Sequence, residues 1–94
     1  MMDSNVYSTI ATHIVREQLV VIGPLAVDQA KRVTGITVDA SNKVHIKDNG
    51  KEVVTRLVKQ FEKLFGAASV EVCKEAVKEA PVTISDKDLP DILK

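Results

Sequence analysis

The strongest helical pattern in the chain is NGKEVVTRLVKQFEKLF, which runs from Asn49 to Phe65. At 100° per residue, its apolar side chains fall within an arc of about 140° and its charged side chains take the opposite face. Asn49 and Glu52 have the spacing of a capping box, in which each side chain bonds a backbone amide at the helix start. The pattern predicts an amphipathic helix with this apolar face: Val53, Val54, Leu57, Val58, Phe61, Leu64 and Phe65.

The first half of the chain has the same helical period. A helix is expected from about Ser4 to Ile22, where Gly23 and Pro24 follow. Glycine suits the left-handed residue just past a helix, and proline suits the first turn of a new helix. We therefore expect a corner at Gly23 and Pro24, and a second helix from Pro24 to about Thr34.

The second half repeats this order after Phe65. Gly66 is the expected corner, and a helix is predicted from Ala67 to Glu79 because Pro81 cannot continue it. A last short turn is expected from Ser85 to Leu89, with Ser85 and Asp88 as its caps.

The segment from 36 to 46 is ambiguous between two structures. Ile36–Val38 and Lys43–Ile46 alternate apolar and polar residues around the polar Asp39–Asn42, which is a hairpin signal. A two-stranded hairpin is only marginally stable by itself, so it would have to pack on the helices. A short hairpin and an irregular loop both remain open from the residues alone.

A shift of 43 residues superposes the two halves of the chain. The approximate units are residues 4–47 and 49–93, and Gly23 then falls on Gly66. Any two amphipathic helices share apolar spacing, but the matched glycines favour a duplication. The predicted fold is all-α or mainly α: one domain over residues 1–94, with four amphipathic helices arranged as two helix-Gly-helix repeats.

The string Ile22-Gly23-Pro24-Leu25-Ala26 resembles the Ile-Gly-Pro-Ile-Ala motif of a small helical domain. That domain lies at the ends of bacterial signalling proteins, including cyanobacterial kinases and regulators. The second copy, from Leu64 to Ser69, looks like a degenerate version in which Ala67 replaces the proline. The resemblance implies a bacterial signalling or regulatory setting and a partner-binding role, and it assigns no catalytic residues.

Composition excludes several classes of function. Thirteen basic and thirteen acidic residues balance, and no basic excess is available to follow a nucleic-acid backbone. Aromatic residues make up 3% of the chain, too few for base-stacking platforms or membrane-interface belts. We expect no nucleic-acid or membrane partner. The single cysteine and the lack of a recognisable signal peptide are typical of a cytoplasmic protein.

No residue pattern in the chain indicates catalysis or cofactor binding. His13 and His45 lack the neighbours that a phosphoacceptor or a nucleophile–base pair needs, and Cys73 lies on an apolar helix face. Metal sites need several ligands at set spacing, and none is present. We predict a protein that is not an enzyme and has no cofactor and no metal.

The preferred hypothesis is a non-catalytic helical module for protein–protein interaction or oligomerisation, working as a homodimer or with another protein. Its candidate partner-binding residues are Tyr7, Val27 and Val70. Val27 and Val70 lie outside the narrow apolar stripes and leave surface for a partner, and Tyr7 lies on the apolar face of the first helix. One alternative is a regulatory domain with a small ligand between the helix pairs and Tyr7 or His13 at the pocket mouth. Another is a helical nucleic-acid-associated protein that uses Gly23-Pro24 as a helix-turn-helix.

Overall fold

The computed structural model describes residues 4–94, with side chains from residue 6 onward. Within this range the fold is mainly helical, as predicted, with a small antiparallel sheet. Its elements are α1 (Ser4–Ile22), α2 (Leu25–Lys31), β1 (Ile36–Val38), β2 (Val44–Ile46), α3 (Gly50–Phe65), α4 (Ala67–Glu79) and a 3₁₀ turn at Asp91–Leu93.

The helix α2 is shorter than the sequence predicts, ending at Lys31 instead of about Thr34. The amides of Arg32 and Val33 bond the carbonyl groups three residues earlier, which tightens the last turn. Gly35 follows with a φ of +95° and turns the chain into β1. A side chain at Gly35 would also meet Val53, because an added Cβ atom would lie 2.8 Å from its Cγ2 atom.

The caps of the other helices follow from local sequence. The side chain of Asn49 accepts a hydrogen bond from the Glu52 amide at 3.2 Å, which is the Asn49 half of the predicted capping box. The Glu52 carboxylate pairs with Arg56 at 3.2 Å. Gly23 separates α1 from α2 with a φ of +75°, and Gly66 separates α3 from α4 with a φ of +80°. Pro24 directly precedes α2 in a helical conformation. The three predicted corner residues therefore lie at the helix junctions.

The ambiguous segment forms the hairpin. Ile36 pairs with Ile46 and Val38 with Val44 in the antiparallel register. Its turn is organised by Asp39, whose Oδ1 atom accepts from the amides of Ser41 and Lys43 at 2.9 and 3.1 Å.

The hairpin is held by hydroxyl groups on α1. The Val44 amide donates to Thr12 Oγ1 at 2.9 Å, and the Ile46 amide donates to Ser8 Oγ at 3.2 Å. Ser8 and Thr12 are four residues apart and therefore share one helix face. These contacts satisfy edge amides of β2 and explain how a two-stranded sheet persists in so small a domain.

The helix α1 lies at the centre of the fold and packs against α2, α3, α4 and β2. The Ser85 carbonyl accepts from the amides of Asp88 and Leu89, which gives the predicted turn. The helical element that follows is the 3₁₀ turn after Pro90, which begins two residues beyond Leu89. The fully buried apolar side chains include Ile10, Ile14, Val15, Val44, Val53, Val54, Leu57, Val58 and Phe61.

Candidate functional site

The structure places two of the three candidate partner-binding residues in the core. Tyr7 is 6% exposed and Val70 is 7% exposed, while Val27 is half-buried against the core. The Tyr7 hydroxyl donates to the Asp88 carbonyl at 2.8 Å, which ties α1 to the C-terminal segment. Tyr7 and Val70 thus offer no surface to a partner, because both side chains are used to pack this chain.

The exposed apolar surface lies instead at the two glycine corners. We call Val20, Val21, Leu25 and Leu64 the corner patch: they are the large apolar side chains that are exposed in the described part of the chain. Val20 is 82% exposed and Val21 is 59% exposed. Helical spacing places Leu64 on the apolar face of α3, and its exposure of 47% corrects that prediction. The sequence signal for an exposed apolar surface was the run Leu19–Ile22. Four consecutive helical residues point in directions too different for all of them to be buried on one side.

An apolar groove of about 190 Å³ lies beside the corner patch. Gln18 and Ser69 contribute the polar atoms of its wall, and the Gln18 Nε2 atom donates to the Ser69 carbonyl at 3.0 Å. Its apolar lining comes from the end of α1, the end of α3 and the start of α4: Val21, Ile22, Phe65, Ala68 and Val72.

Cys73 lies beneath this groove as a buried thiol. The Gln18 Nε2 atom lies 3.4 Å from its sulfur. Burial raises the pKa of Cys73 to about 11, although the hydrogen bond from Gln18 acts in the opposite direction. At neutral pH the group is therefore a thiol rather than a thiolate, as expected for a small buried side chain and not for a nucleophile.

His13 lies in a second, polar groove of about 290 Å³ between α1 and the hairpin. Thr9, Thr12, Arg16 and Lys43 complete its lining. The Thr12 hydroxyl is already engaged with Val44 and with the Ser8 carbonyl. All five lining side chains are polar or charged. The groove therefore differs from the apolar pocket, with His13 at its mouth, that was expected for a small-ligand-binding domain.

The hairpin turn carries an exposed pair of side chains within hydrogen-bonding distance of each other, His45 and Asp39. His45 Nε2 lies 3.0 Å from Asp39 Oδ2, and the Ser41 hydroxyl donates to Asp39 Oδ1 at 2.6 Å. The bonds from Ser41, His45 and the Lys43 amide hold the pKa of Asp39 well below its ordinary value of 3.8. Because the folded pKa is the lower one, the Asp39 carboxylate favours the folded turn above about pH 4. That contribution is lost as the pH falls through the folded pKa.

We expect Asp39→Ala to loosen the turn without unfolding the domain. The amides of Ser41 and Lys43 lose their acceptor, so their hydrogen-exchange protection factors should fall at neutral pH. The Val44 amide is held by Thr12 and should keep its protection. The exposed carboxylate variant Asp86→Ala is the matched control. Unchanged protection of Ser41 and Lys43 in Asp39→Ala would contradict this account of the turn.

Two further findings concern residues 4–94. This range contains no cluster of three or more His, Cys, Asp or Glu side chains that could hold a metal ion. None of its helices combines the length and the apolar character that a membrane span requires.

Comparison of the chain with protein-family models, with curated proteins and with solved structures found no match. The candidate functional surfaces of this fold are therefore the three described above: the corner patch, the apolar groove and the polar groove.

Proposed function

We propose that this chain is a non-catalytic helical interaction module that pairs with a second copy of itself through the corner patch. The observation that carries the proposal is the exposure of Val20, Val21, Leu25 and Leu64 within three residues of Gly23 or Gly66. Val21 lines the apolar groove together with Phe65, so the end of α1 lies beside the Gly66 corner. Exposed apolar patches of a surface are characteristic of interaction sites.

The internal repeat supports a self-complementary surface. A shift of 43 residues places Val21 on Leu64 and Gly23 on Gly66. Val21 and Leu64 are both exposed, and the φ angles of the two glycines differ by only 5°. We therefore also propose that the units 4–47 and 49–93 arose by duplication. In a two-fold homodimer the same patch of each copy faces the other, so the interface requires a self-complementary surface.

The charge balance also supports pairing of identical copies. The formal net charge is zero, so two copies approach without long-range repulsion. On the resemblance of Ile22–Ala26 to the bacterial signalling motif, we extend the proposal to a cytoplasmic signalling or regulatory protein.

The test is the solution mass of the chain from micromolar to millimolar concentration. We expect light scattering to give twice the 10.3 kDa chain mass for the wild type at the upper end. The double variant Val20→Glu, Leu64→Glu should be a monomer with an unchanged helical spectrum, because both positions are exposed. The matched control, Thr37→Glu with Thr83→Glu, adds the same charge at exposed positions outside the patch and should still pair.

A wild-type chain that stays monomeric over the whole range would overturn the proposal. So would a corner-patch variant that pairs as strongly as the control.

Binding of a small ligand is a second candidate function, which the apolar groove beside the corner patch favours.

A further inference from the structure

The polar groove between α1 and the hairpin brings basic side chains from two elements together. His13 and Arg16 line it from α1, and Lys43 lines it from the hairpin. Its other lining residues are Thr9 and Thr12, so none of the described residues around the groove carries a carboxylate. Arginine and lysine side chains are positively charged at neutral pH. The groove is therefore a local positive surface on a chain whose formal net charge is zero.

The two permanent charges of the groove are not neutralised within the chain. The ion pairs between side chains of residues 6–94 involve neither Arg16 nor Lys43. Asp39 lies in the same hairpin turn, but its Oδ1 atom is engaged with backbone amides and its Oδ2 atom with His45. Glu17 follows Arg16 on α1 and is not part of the lining. The positive charge of the groove thus remains available to an anion from outside the chain.

Two contacts hold the hairpin against α1 on either side of Lys43. The Arg16 Nη2 atom lies 3.5 Å from the Ser41 carbonyl oxygen, so the guanidinium group extends from α1 to the hairpin turn. The Val44 amide donates to Thr12 Oγ1 at 2.9 Å. Lys43 therefore leaves the backbone between two residues that both contact α1. Arg16 and Lys43 are both exposed, so a ligand in the groove can reach their side chains from solvent.

The charge and shape of these donors favour a phosphate group. A phosphate monoester carries about −1.5 to −2 charges at pH 7, which two cationic side chains balance, whereas a carboxylate carries one charge. A guanidinium group donates two parallel hydrogen bonds to phosphate oxygens, and a lysine ammonium group acts as a point charge. The contact between Arg16 and Ser41 is long and weak, so a charged acceptor can replace it.

The size of the groove leaves room for more than the phosphate itself. Its volume is about 290 Å³, whereas a cavity of about 150 Å³ accommodates benzene. A small organic group can therefore enter together with the phosphate. A nucleic-acid backbone needs a longer row of cations than one arginine and one lysine.

We propose that the polar groove binds a phosphate group, free or as the monoester of a small molecule, between Arg16 of α1 and Lys43 of the hairpin. His13 lines the same groove and is a further donor to the phosphate oxygens. The bound phosphate fastens the hairpin to α1, because its two cationic partners belong to different elements. This inference is independent of pairing through the corner patch, since it uses other residues and is measured by another method.

The first test is a nuclear magnetic resonance titration of the ¹⁵N-labelled chain with inorganic phosphate, glucose 6-phosphate and acetate at constant ionic strength. We expect the two phosphates to shift the amides of His13 and Lys43. Acetate should bind roughly three- to tenfold more weakly, because it offers one charge instead of two. Tighter binding of glucose 6-phosphate than of inorganic phosphate would identify the ligand as a monoester, and the reverse order would identify it as the free ion.

Two variants test the charges separately. Arg16→Gln and Lys43→Gln each remove one charge at an exposed position, so circular dichroism should show an unchanged fold. Each should weaken phosphate binding roughly three- to tenfold, the effect of losing one hydrogen-bonding partner. Arg32→Gln and Lys63→Gln are the matched controls, because they make the same changes at exposed positions outside the groove. Both controls should bind phosphate as the wild type does.

Hydrogen exchange of the Val44 amide tests whether the phosphate bridges the two elements. This amide is bonded to Thr12 on α1, so it exchanges when the hairpin separates from the helix. Inorganic phosphate at ten times its dissociation constant should slow that exchange about tenfold, because the separation breaks the site. The same phosphate concentration should slow it less in Lys43→Gln.

Any of four results would overturn the inference. One is the absence of shifts at His13 and Lys43 with either phosphate. Another is equal affinity for phosphate and acetate. The third is that Arg16→Gln and Lys43→Gln bind phosphate as tightly as the two controls, which would indicate an adventitious ion only. The fourth is unchanged exchange of the Val44 amide in saturating phosphate, which would show that the anion does not join the hairpin to α1.

Discussion

Gly50→Ala is expected to destabilise the domain by about 3 kcal/mol, the upper part of the range for overpacking a core. A Cβ atom at this position would lie 2.5 Å from Tyr7 Cγ and 2.7 Å from Tyr7 Cβ, closer than real side chains approach. Tyr7 has little freedom to move, because it is 6% exposed and its hydroxyl is bonded to Asp88. Urea denaturation followed by circular dichroism measures the change in the free energy of unfolding.

The matched control for this prediction is Gly66→Ala, which also adds one methyl group at a helix boundary. An added Cβ at Gly66 meets nothing within 4 Å, but the φ of +80° disfavours alanine. The expected cost is about 1–3 kcal/mol, from backbone strain, because a ψ of −170° puts Gly66 in a region that is essentially confined to glycine. Gly50 has no positive φ, so its loss would come from the tyrosine ring. A loss below about 1 kcal/mol in Gly50→Ala would contradict the overlap with Tyr7.

Phe61→Ala is expected to cost about 3–5 kcal/mol, the usual range for removing a buried aromatic ring. Phe61 is 0% exposed and is the largest fully buried side chain in the described chain. Its removal leaves a cavity on the inner face of α3 that the surrounding side chains can only partly fill. Because a domain of this size changes its melting temperature by about 4–8 °C per kcal/mol, thermal melting should show a large fall.

Phe65→Ala is the matched control, since it makes the same change one helical turn later. Phe65 is half-buried and borders the groove, so its loss should cost roughly half as much as that of Phe61. If the two variants melt at the same temperature, the burial difference between the two rings does not govern the stability of α3.

Most of the helical architecture could be predicted from local sequence. The apolar period and the Asn49 cap predict the position of α3. The glycine and proline residues that follow the helices predict where α1 and α4 end. These signals are local because a helix satisfies its backbone hydrogen bonds within a few residues. The end of α2 was not predictable in the same way, since it depends on the turn at Gly35 and its packing against Val53.

The candidate surfaces could not be predicted from period alone. An apolar stripe shows which side of a helix is buried, but it does not show how much of the helix length the neighbouring elements cover. At 1.5 Å per residue, the nineteen residues of α1 span about 28 Å, and the end of this helix carries the exposed Val20 and Val21. Tyr7 shows the opposite case, because the C-terminal segment covers a side chain that was expected to bind a partner.

The Tyr7–Asp88 hydrogen bond also gives the chain an optical reporter at a single position. Tyr7 is the only tyrosine and the chain has no tryptophan, so its ultraviolet fluorescence comes from one ring apart from the weak contribution of the phenylalanines. Burial, and then the charge of Asp88, raise the pKa of Tyr7 above its ordinary value of 10.0, so the phenol resists ionisation while the fold is intact. Its emission and its alkaline absorbance change therefore report directly whether the C-terminal segment is docked on α1.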